Sequence, residues 1–256
     1  MVFVEYILKD TLTTNEIVCF VIFDGLLICG ILTIAKHHML NCLPKESTKE
    51  MIKKQRIRFG WVLTLLNSFV LSLLAITHTF YRYIDDNDYN KSQKFPLIYI
   101  ENYSLQISGT FGDLMLGRDN LSYFMCTHFA VVNAIDLVYG SVYYPEAIDL
   151  LSGWVHHIVY IWIIILCTTT QGLFLTSNLF AKGFGLFFLL EIPTFILASG
   201  RIYKSLRSDY GFGFFFWIFR ILLHGYLIAS AILTPSSCDT VIQVLLFLTF
   251  SVCNFH

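Results

Sequence analysis

The sequence predicts an all-α membrane protein, a polytopic transmembrane helical bundle of about seven spans. Two features of its composition favour this class: 56% of the 256 residues are hydrophobic and only 14% are charged, against roughly a quarter in soluble domains. The third observation is segment length, since crossing about 30 Å of hydrocarbon takes roughly 20 mostly apolar residues. Such runs recur along the chain, whereas the alternating strands of roughly ten residues that are typical of a membrane barrel do not.

Seven segments qualify as spans or come close. Each is expected to be a helix, because backbone groups in hydrocarbon must be hydrogen-bonded within the segment. Only a few residues around Gln171 and Gly172 separate the fourth span from the fifth, which predicts a tight antiparallel hairpin. The predicted spans cover residues 17–35, 59–80, 121–144, 150–171, 174–199, 212–233 and 240–255.

Charged loops predict the orientation of the spans. Lysine and arginine dominate the loop after the first span and recur in the 200–211 loop, which places both loops in the cytosol by the positive-inside rule. The 81–120 loop then lies outside or in the lumen. It contains Asn-x-Ser sequons at Asn90, Asn102 and Asn120. We predict glycosylation at Asn102 and Asn90, and expect Asn120 to lie too close to a span.

Polar residues within the spans are the candidate functional residues, because ionisable groups at bilayer depth are costly and usually face a bundle interior or a wet cavity. At 1.5 Å per residue, polar groups of several spans lie about 10–12 Å from the cytosolic ends. His224 lies one turn after Arg220 on the same helix face and is expected to extend the polar cavity toward the middle of the membrane. The sequence therefore predicts one polar, lipid-binding cavity lined by Asn67, Asp136, His156, His157, Glu191, Arg220 and His224.

Each of these residues also has a purely structural interpretation. Arg220 could extend its long side chain to the interface, Asp136 could pair with a neighbouring helix, and Asn67 could form an interhelical hydrogen bond. A buried, hydrogen-bonded histidine is the corresponding alternative for the histidine pair. Asp24, in the middle of the first span, has no partner that the sequence identifies.

His156 and His157 are candidate catalytic residues. They lie about 100° apart on a helix, so one of them is expected to face the cavity. A histidine titrating near neutrality can act as general base toward an amine or hydroxyl, with a nearby carboxylate to orient it. Glu191 lies two residues before Pro193, which removes a backbone donor and favours a kink. No metal site is predicted, because His-x-x-His-His, His-Glu-x-x-His and paired-cysteine patterns are absent from the sequence.

A short set of motifs resembles the TLC-domain family, which includes the ceramide synthases and several non-synthase branches. The motifs are Trp154-Val155-His156-His157, an acidic position in the preceding span, Glu191-Ile192-Pro193-Thr194 and an arginine in the next span. The resemblance implies a TLC-like domain of six helices over residues 58–256, preceded by an N-terminal anchor and basic loop over 1–57. Ceramide synthases carry His-Asp and a further Asp before the glutamate, where this chain has Gly183–Phe187. The departure favours a non-synthase branch.

Three function classes follow. The resemblance implies a protein that binds or handles membrane lipids and contributes to lipid composition, in the endoplasmic reticulum or a later secretory or plasma membrane, without a cofactor. The alternative is an acyltransferase that takes acyl-CoA as substrate and uses a histidine base. A transporter or metal-dependent lipid enzyme is the third class. Membrane lipids are the expected partners, nucleic acid is not, and self-association into a homo-oligomer stays open.

Overall fold

The computed structural model describes residues 14–42, 44, 47–89, 97–101, 104–108, 120–169 and 185–226. Apart from one two-stranded hairpin, the regular structure of these residues is helical. The helices are α1 (Thr14–Lys36), α2 (Lys49–Tyr89), α3 (Asn120–Tyr143), α4 (His156–Thr169), α5 (Glu191–Ile202) and α6 (Asp209–Phe216). The hairpin pairs β1 (Leu97–Glu101) antiparallel with β2 (Ser104–Ser108), within the loop predicted to be lumenal.

Shorter helical turns extend or join these elements. Turns of π-helix continue α1 as His37–Asn41, precede α4 as Leu150–Val155 and continue α6 as Trp217–Leu223. Turns of 3-10 helix follow α3 as Pro145–Ala147, precede α5 as Phe188–Leu190 and follow it as Lys204–Leu206.

Four helical stretches of the described chain are long and apolar enough to cross a membrane: Asn15–Asn41, Lys49–Phe80, Asn120–Tyr143 and Gly185–Ile202. These match the predicted first, second, third and fifth spans, and support an integral, multi-pass membrane protein. The predicted fourth span coincides with a shorter apolar helix, Gly153–Ile165. The sixth is described only as far as residue 226, and the seventh lies outside the described residues. A total of about seven spans therefore stays a prediction.

Contacts between α1 and α3 show that these two helices run in the same direction. Phe20 meets Phe124 with ring centroids 4.0 Å apart, and one turn later Asp24 meets His128 at 2.9 Å. Near the ends of both helices, Thr33 and Tyr139 hydroxyls lie 3.4 Å apart. Since residue numbers rise together along the interface, the two helices are parallel, as expected of spans separated by one crossing.

Contacts between α2 and α5 have the opposite order. The Arg201 guanidinium lies 5.5 Å from the Trp61 ring centroid, and the Phe69 and Phe195 rings are 5.6 Å apart. Residue numbers rise on α2 as they fall on α5, so these two helices are antiparallel. This order agrees with the predicted alternation of span directions and places the 200–211 loop on the side of the basic first loop.

Two hydrophobic cores lie at different levels of the bundle. The first joins α1, α2 and α3 near the basic loop and contains Ile28, Leu32, Phe59, Leu63, Val132 and Tyr144. The second joins α2, α3, α4 and the turn before α5, and includes Leu71, Met125, Phe129, Tyr160, Ile164 and Phe188. Large apolar side chains face outward between them, such as Phe23 at 66% and Leu26 at 69% exposed. An apolar outer surface is what lipid contact requires.

Candidate functional site

Asp136, Tyr144 and His157 form one polar cluster, which we call the Asp136 cluster. The Tyr144 hydroxyl donates a short hydrogen bond to Asp136 Oδ1. His157 Nδ1 lies 3.5 Å from the other carboxylate oxygen, Oδ2, and both side chains are largely buried. At that distance the contact with His157 is mainly electrostatic rather than a full hydrogen bond. The carboxylate thus stands between a hydroxyl and an imidazole.

The turn after α3 places Tyr144 in this cluster. The chain reverses through Pro145–Ala147, and the Tyr144 ring packs edge-on against Phe59 at 5.5 Å. Gly140 makes the close approach possible, because a Cβ there would lie 2.9 Å from the Tyr144 ring and would overlap the Ile148 side chain. Tyr144 was not predicted as a site residue. Its position, one residue beyond α3 and eight after Asp136, gives no helical-face signal to identify it.

His156 and His157 face different neighbours, as expected from their separation of about 100° around the helix. His157 faces Asp136, whereas the His156 ring packs edge-on against Tyr160 with centroids 4.5 Å apart. His157 therefore has a carboxylate neighbour of the kind that orients a general base. The catalytic assignment of either histidine stays a prediction.

Glu191, Thr194 and Arg220 form a second group, which we call the Glu191 cluster. Arg220 Nη2 donates to Thr194 Oγ1 at 2.9 Å. Glu191 lies one turn before Thr194 on α5, within the electrostatic influence of Thr194 and Arg220. In the sequence, Thr194 is singled out only within the Glu191-Ile192-Pro193-Thr194 motif. Its spacing of three residues from Glu191 on one helix was the signal that could have placed it in the site.

Pro193 occupies the first turn of α5, where its missing N–H costs no helical hydrogen bond. Just before it, the chain changes from 3-10 helix, Phe188–Leu190, to α-helix at Glu191. Glu191 therefore lies at the junction of two helical geometries, and the kink itself stays a prediction.

Of the remaining predicted residues, Asn67 lies apart from these contacts, whereas His224 lies within the electrostatic influence of Arg220. Asn67 is buried on α2, and its Oδ1 has no hydrogen-bond partner among the described residues. His224 is buried one turn after Arg220, and its ring meets Phe187 at 5.6 Å. The contacts that the structure gives thus place the predicted residues in separate groups, and a single cavity shared by all of them stays a prediction.

A groove among the described residues is one that the sequence did not identify. It has a volume of about 920 Å³ and lies between α2, α5 and α6 with its continuation. The first helix contributes Phe69, Ser72, Leu73, Ile76, Thr79 and Phe80. The other two sides are formed by Leu189, Ile192, Phe195, Phe215 and Phe219. The spacing of these apolar residues does not identify the groove, because it does not distinguish a groove from the core or from lipid-facing surface.

Asp24 has a partner that was also not predicted. His128 Nδ1 lies 2.9 Å and 3.0 Å from its two carboxylate oxygens, and both side chains are buried between α1 and α3. The other histidine of the same level, His78, packs against Gly185, where a Cβ would come within 2.8 Å of Nδ1. Asp24 therefore belongs to the packing of the predicted N-terminal anchor on the rest of the bundle.

The predicted glycosylation sites stay predictions. Asn90 and Asn102 lie outside the described residues, and Asn120 is buried as the first residue of α3. Among the described residues, no group of three His, Cys, Asp or Glu side chains is arranged to hold a metal ion.

Comparison with known proteins does not assign a family. No protein-family model matches the sequence, and neither a curated protein nor a solved structure shows significant similarity to it. The TLC-domain resemblance therefore rests on the short motifs alone.

Proposed function

We propose that this chain binds a membrane lipid in the groove between α2, α5 and α6, and that it contributes to membrane lipid composition through that binding. The groove carries the proposal. Its volume of about 920 Å³ lies toward the upper end of ordinary ligand pockets, which span roughly 300–1,000 Å³. All of its lining residues except Ser72 and Thr79 are apolar, so an acyl chain is the ligand that it suits.

Selection of one lipid over another needs a polar contact, because lipid tails are as apolar as the groove itself. The Glu191 cluster lies next to the groove. Ile192 and Phe195 line the groove, while Glu191 and Thr194 precede them by one residue each and face the adjacent side of α5. The cluster offers an arginine, a hydroxyl and a carboxylate to a polar headgroup at the groove's margin.

The test is covalent labelling of the purified full chain with a photoreactive, alkyne-tagged fatty acyl lipid. Ile76→Trp fills the groove, and the control Ile34→Trp makes the same change on α1, away from it; these isoleucines are 50% and 62% exposed. We expect Ile76→Trp to reduce labelling to the background of unrelated membrane protein and Ile34→Trp to leave it unchanged. Equal labelling of both variants would show that only bulk lipid contacts the protein.

The cellular consequence is tested by lipid profiling with and without the protein, covering sphingolipids and phospholipid acyl chains together. We expect a broad shift in acyl-chain composition that Ile76→Trp fails to restore. A change confined to ceramides would instead favour the acyltransferase alternative.

An acyl-CoA-dependent acyltransferase is the second candidate, and the contact between Asp136 and His157 favours it. In that reaction His157 removes a proton from an acceptor amine or hydroxyl, the acceptor attacks the thioester carbonyl, and coenzyme A leaves as the thiol. Asp136 would orient the imidazole. We expect no ceramide from purified protein with a sphingoid base and acyl-CoA, because the acids of the synthases are missing. Ceramide formation above a His156→Ala/His157→Ala control would establish this reaction.

A further inference from the structure

We propose a second binding site, for a phosphate-bearing lipid headgroup, at the ends of α1, α2 and α3 beside the basic loop. A pocket of about 320 Å³ lies there, lined among others by Lys36, Asn41, Ser47, Arg56 and Tyr143. These residues come from the last residues of α1, the turn that follows it, the second turn of α2 and the end of α3. The groove proposed above shares α2 with this pocket but none of its lining residues, so it does not bear on this site.

Two cations line this pocket with little compensating negative charge. Lys36 Nζ lies 3.9 Å from the Tyr143 ring centroid, and it forms no ion pair within the described part of the chain. Arg56 Nη1 lies 3.5 Å from Glu146 Oε1, with side chains 41% and 31% exposed. An ion pair that long and that exposed contributes little. Both cations are therefore available to an anion.

Ser47 supplies a polar atom that is already desolvated. Its Oγ is buried and has no hydrogen-bond partner among the described residues. Its backbone N–H donates to Pro44 O at 3.0 Å, which fixes the turn that carries the side chain. Leaving a buried hydroxyl unpaired is costly, and a phosphate oxygen bound between the two cations would accept a hydrogen bond from it.

The position of the pocket favours a lipid headgroup over a soluble phosphate. Lys36 ends α1, Lys49 begins α2 and Tyr143 ends α3, so the pocket lies where three membrane-crossing helices leave the apolar layer. The exposed Lys53 and Lys54 lie on the first turns of α2. Such basic residues attract the anionic lipids of a cytosolic leaflet. The pocket can then select the phosphate of one headgroup among them.

The experiment measures binding of short-chain phosphatidylinositol phosphate, short-chain phosphatidylcholine and soluble inositol phosphate to the purified full chain in detergent. The test variant is Lys36→Gln/Arg56→Gln. Its control, Lys53→Gln/Lys54→Gln, removes the same charge from the same loop outside the pocket. We expect the test variant to bind the anionic lipid at least about tenfold more weakly, and the control less than about threefold.

Ser47→Ala tests the pocket without changing its charge, and thermal unfolding of every variant shows whether the fold is retained. We expect Ser47→Ala to weaken binding of the anionic lipid without changing the unfolding temperature. Unchanged affinity in Ser47→Ala, or equal losses in the two double variants, would overturn the site in favour of diffuse charge attraction. Inositol phosphate that binds as tightly as the lipid would overturn the lipid assignment, as would equally tight phosphatidylcholine.

Discussion

The interface between α1 and α3 and the face shared by α2, α5 and α6 are built from similarly apolar helices, yet one is closed and the other is open. Along the first, Phe20 meets Phe124, Asp24 meets His128, and Thr33 meets Tyr139. Along the second, side chains such as Leu73 and Ile76 line a groove of about 920 Å³ that no helix of the described residues fills. Composition alone cannot separate these cases, because what differs is whether a second helix reaches the same level.

The two faces also differ in how they use polar residues. The closed interface buries a pair, Asp24 with His128, in which both carboxylate oxygens contact His128 Nδ1. At the open face, Arg220 of the Glu191 cluster hydrogen-bonds Thr194 along the groove's margin. Polar contacts therefore join α1 to α3 in the first region. In the second region they lie beside a groove that is large enough for a ligand. Mutations that separate stability from lipid binding test this difference.

The largest effect on stability is expected at the closed interface. Asp24→Ala should lower the free energy of unfolding in detergent by about 3–5 kcal/mol, because it leaves His128 buried without its partner. Asp24→Leu/His128→Leu should recover part of this loss, since no orphan polar group remains. Denaturant unfolding measures both. If the losses of unfolding free energy in Asp24→Leu and His128→Leu simply added up in the double variant, the two residues would not be coupled.

A smaller stability effect is expected in the Glu191 cluster. Glu191→Ala and Arg220→Ala should each cost about 1–3 kcal/mol, because each leaves a hydrogen-bonded partner unsatisfied. The double variant should recover part of the loss. Thr194→Val tests whether Thr194 links them, since it keeps the side-chain volume and removes the hydroxyl that accepts from Arg220. If Thr194→Val left the coupling between Glu191 and Arg220 unchanged, their interaction would be direct.

The position of Tyr144 is tested by a pair of glycines. Gly140→Ala should destabilise the protein by about 1–3 kcal/mol, because its Cβ would overlap Ile148 and approach the Tyr144 ring to 2.9 Å. Gly30→Ala is the control, since nothing lies within 4 Å of a Cβ there. It should be neutral or stabilising by up to about 1 kcal/mol, because alanine favours helix. Equal thermal shifts in the two variants would argue against the turn that carries Tyr144.

Span positions could be predicted from the sequence because a run of apolar residues determines them locally. Asn15–Asn41 and Lys49–Phe80 each include a predicted span, and Asn120–Tyr143 covers all but the last residue of a third. Asp136 and His157 could also be identified from the sequence, since an ionisable residue is unusual within an apolar span. Tyr144 and the groove were not, because each depends on where a turn or a neighbouring helix places a residue of ordinary type. The partner of Asp24 required the parallel register of α1 and α3, which no local pattern encodes.

The smallest stability effect is expected at the histidine pair, where function rather than packing would be lost. His157→Ala should change the free energy of unfolding by no more than about 1 kcal/mol, because its contact with Asp136 is 3.5 Å long and Tyr144 still hydrogen-bonds that carboxylate. We expect the same variant to abolish the cellular lipid phenotype if the Asp136 cluster acts on lipid. His156→Ala removes the neighbouring ring, which contacts Tyr160 rather than Asp136. Comparing the two variants therefore separates a role that needs the carboxylate from one that needs only an aromatic ring. A lipid profile unchanged in both variants would show that the cluster is structural, and would leave the groove as the lipid-binding feature of this chain.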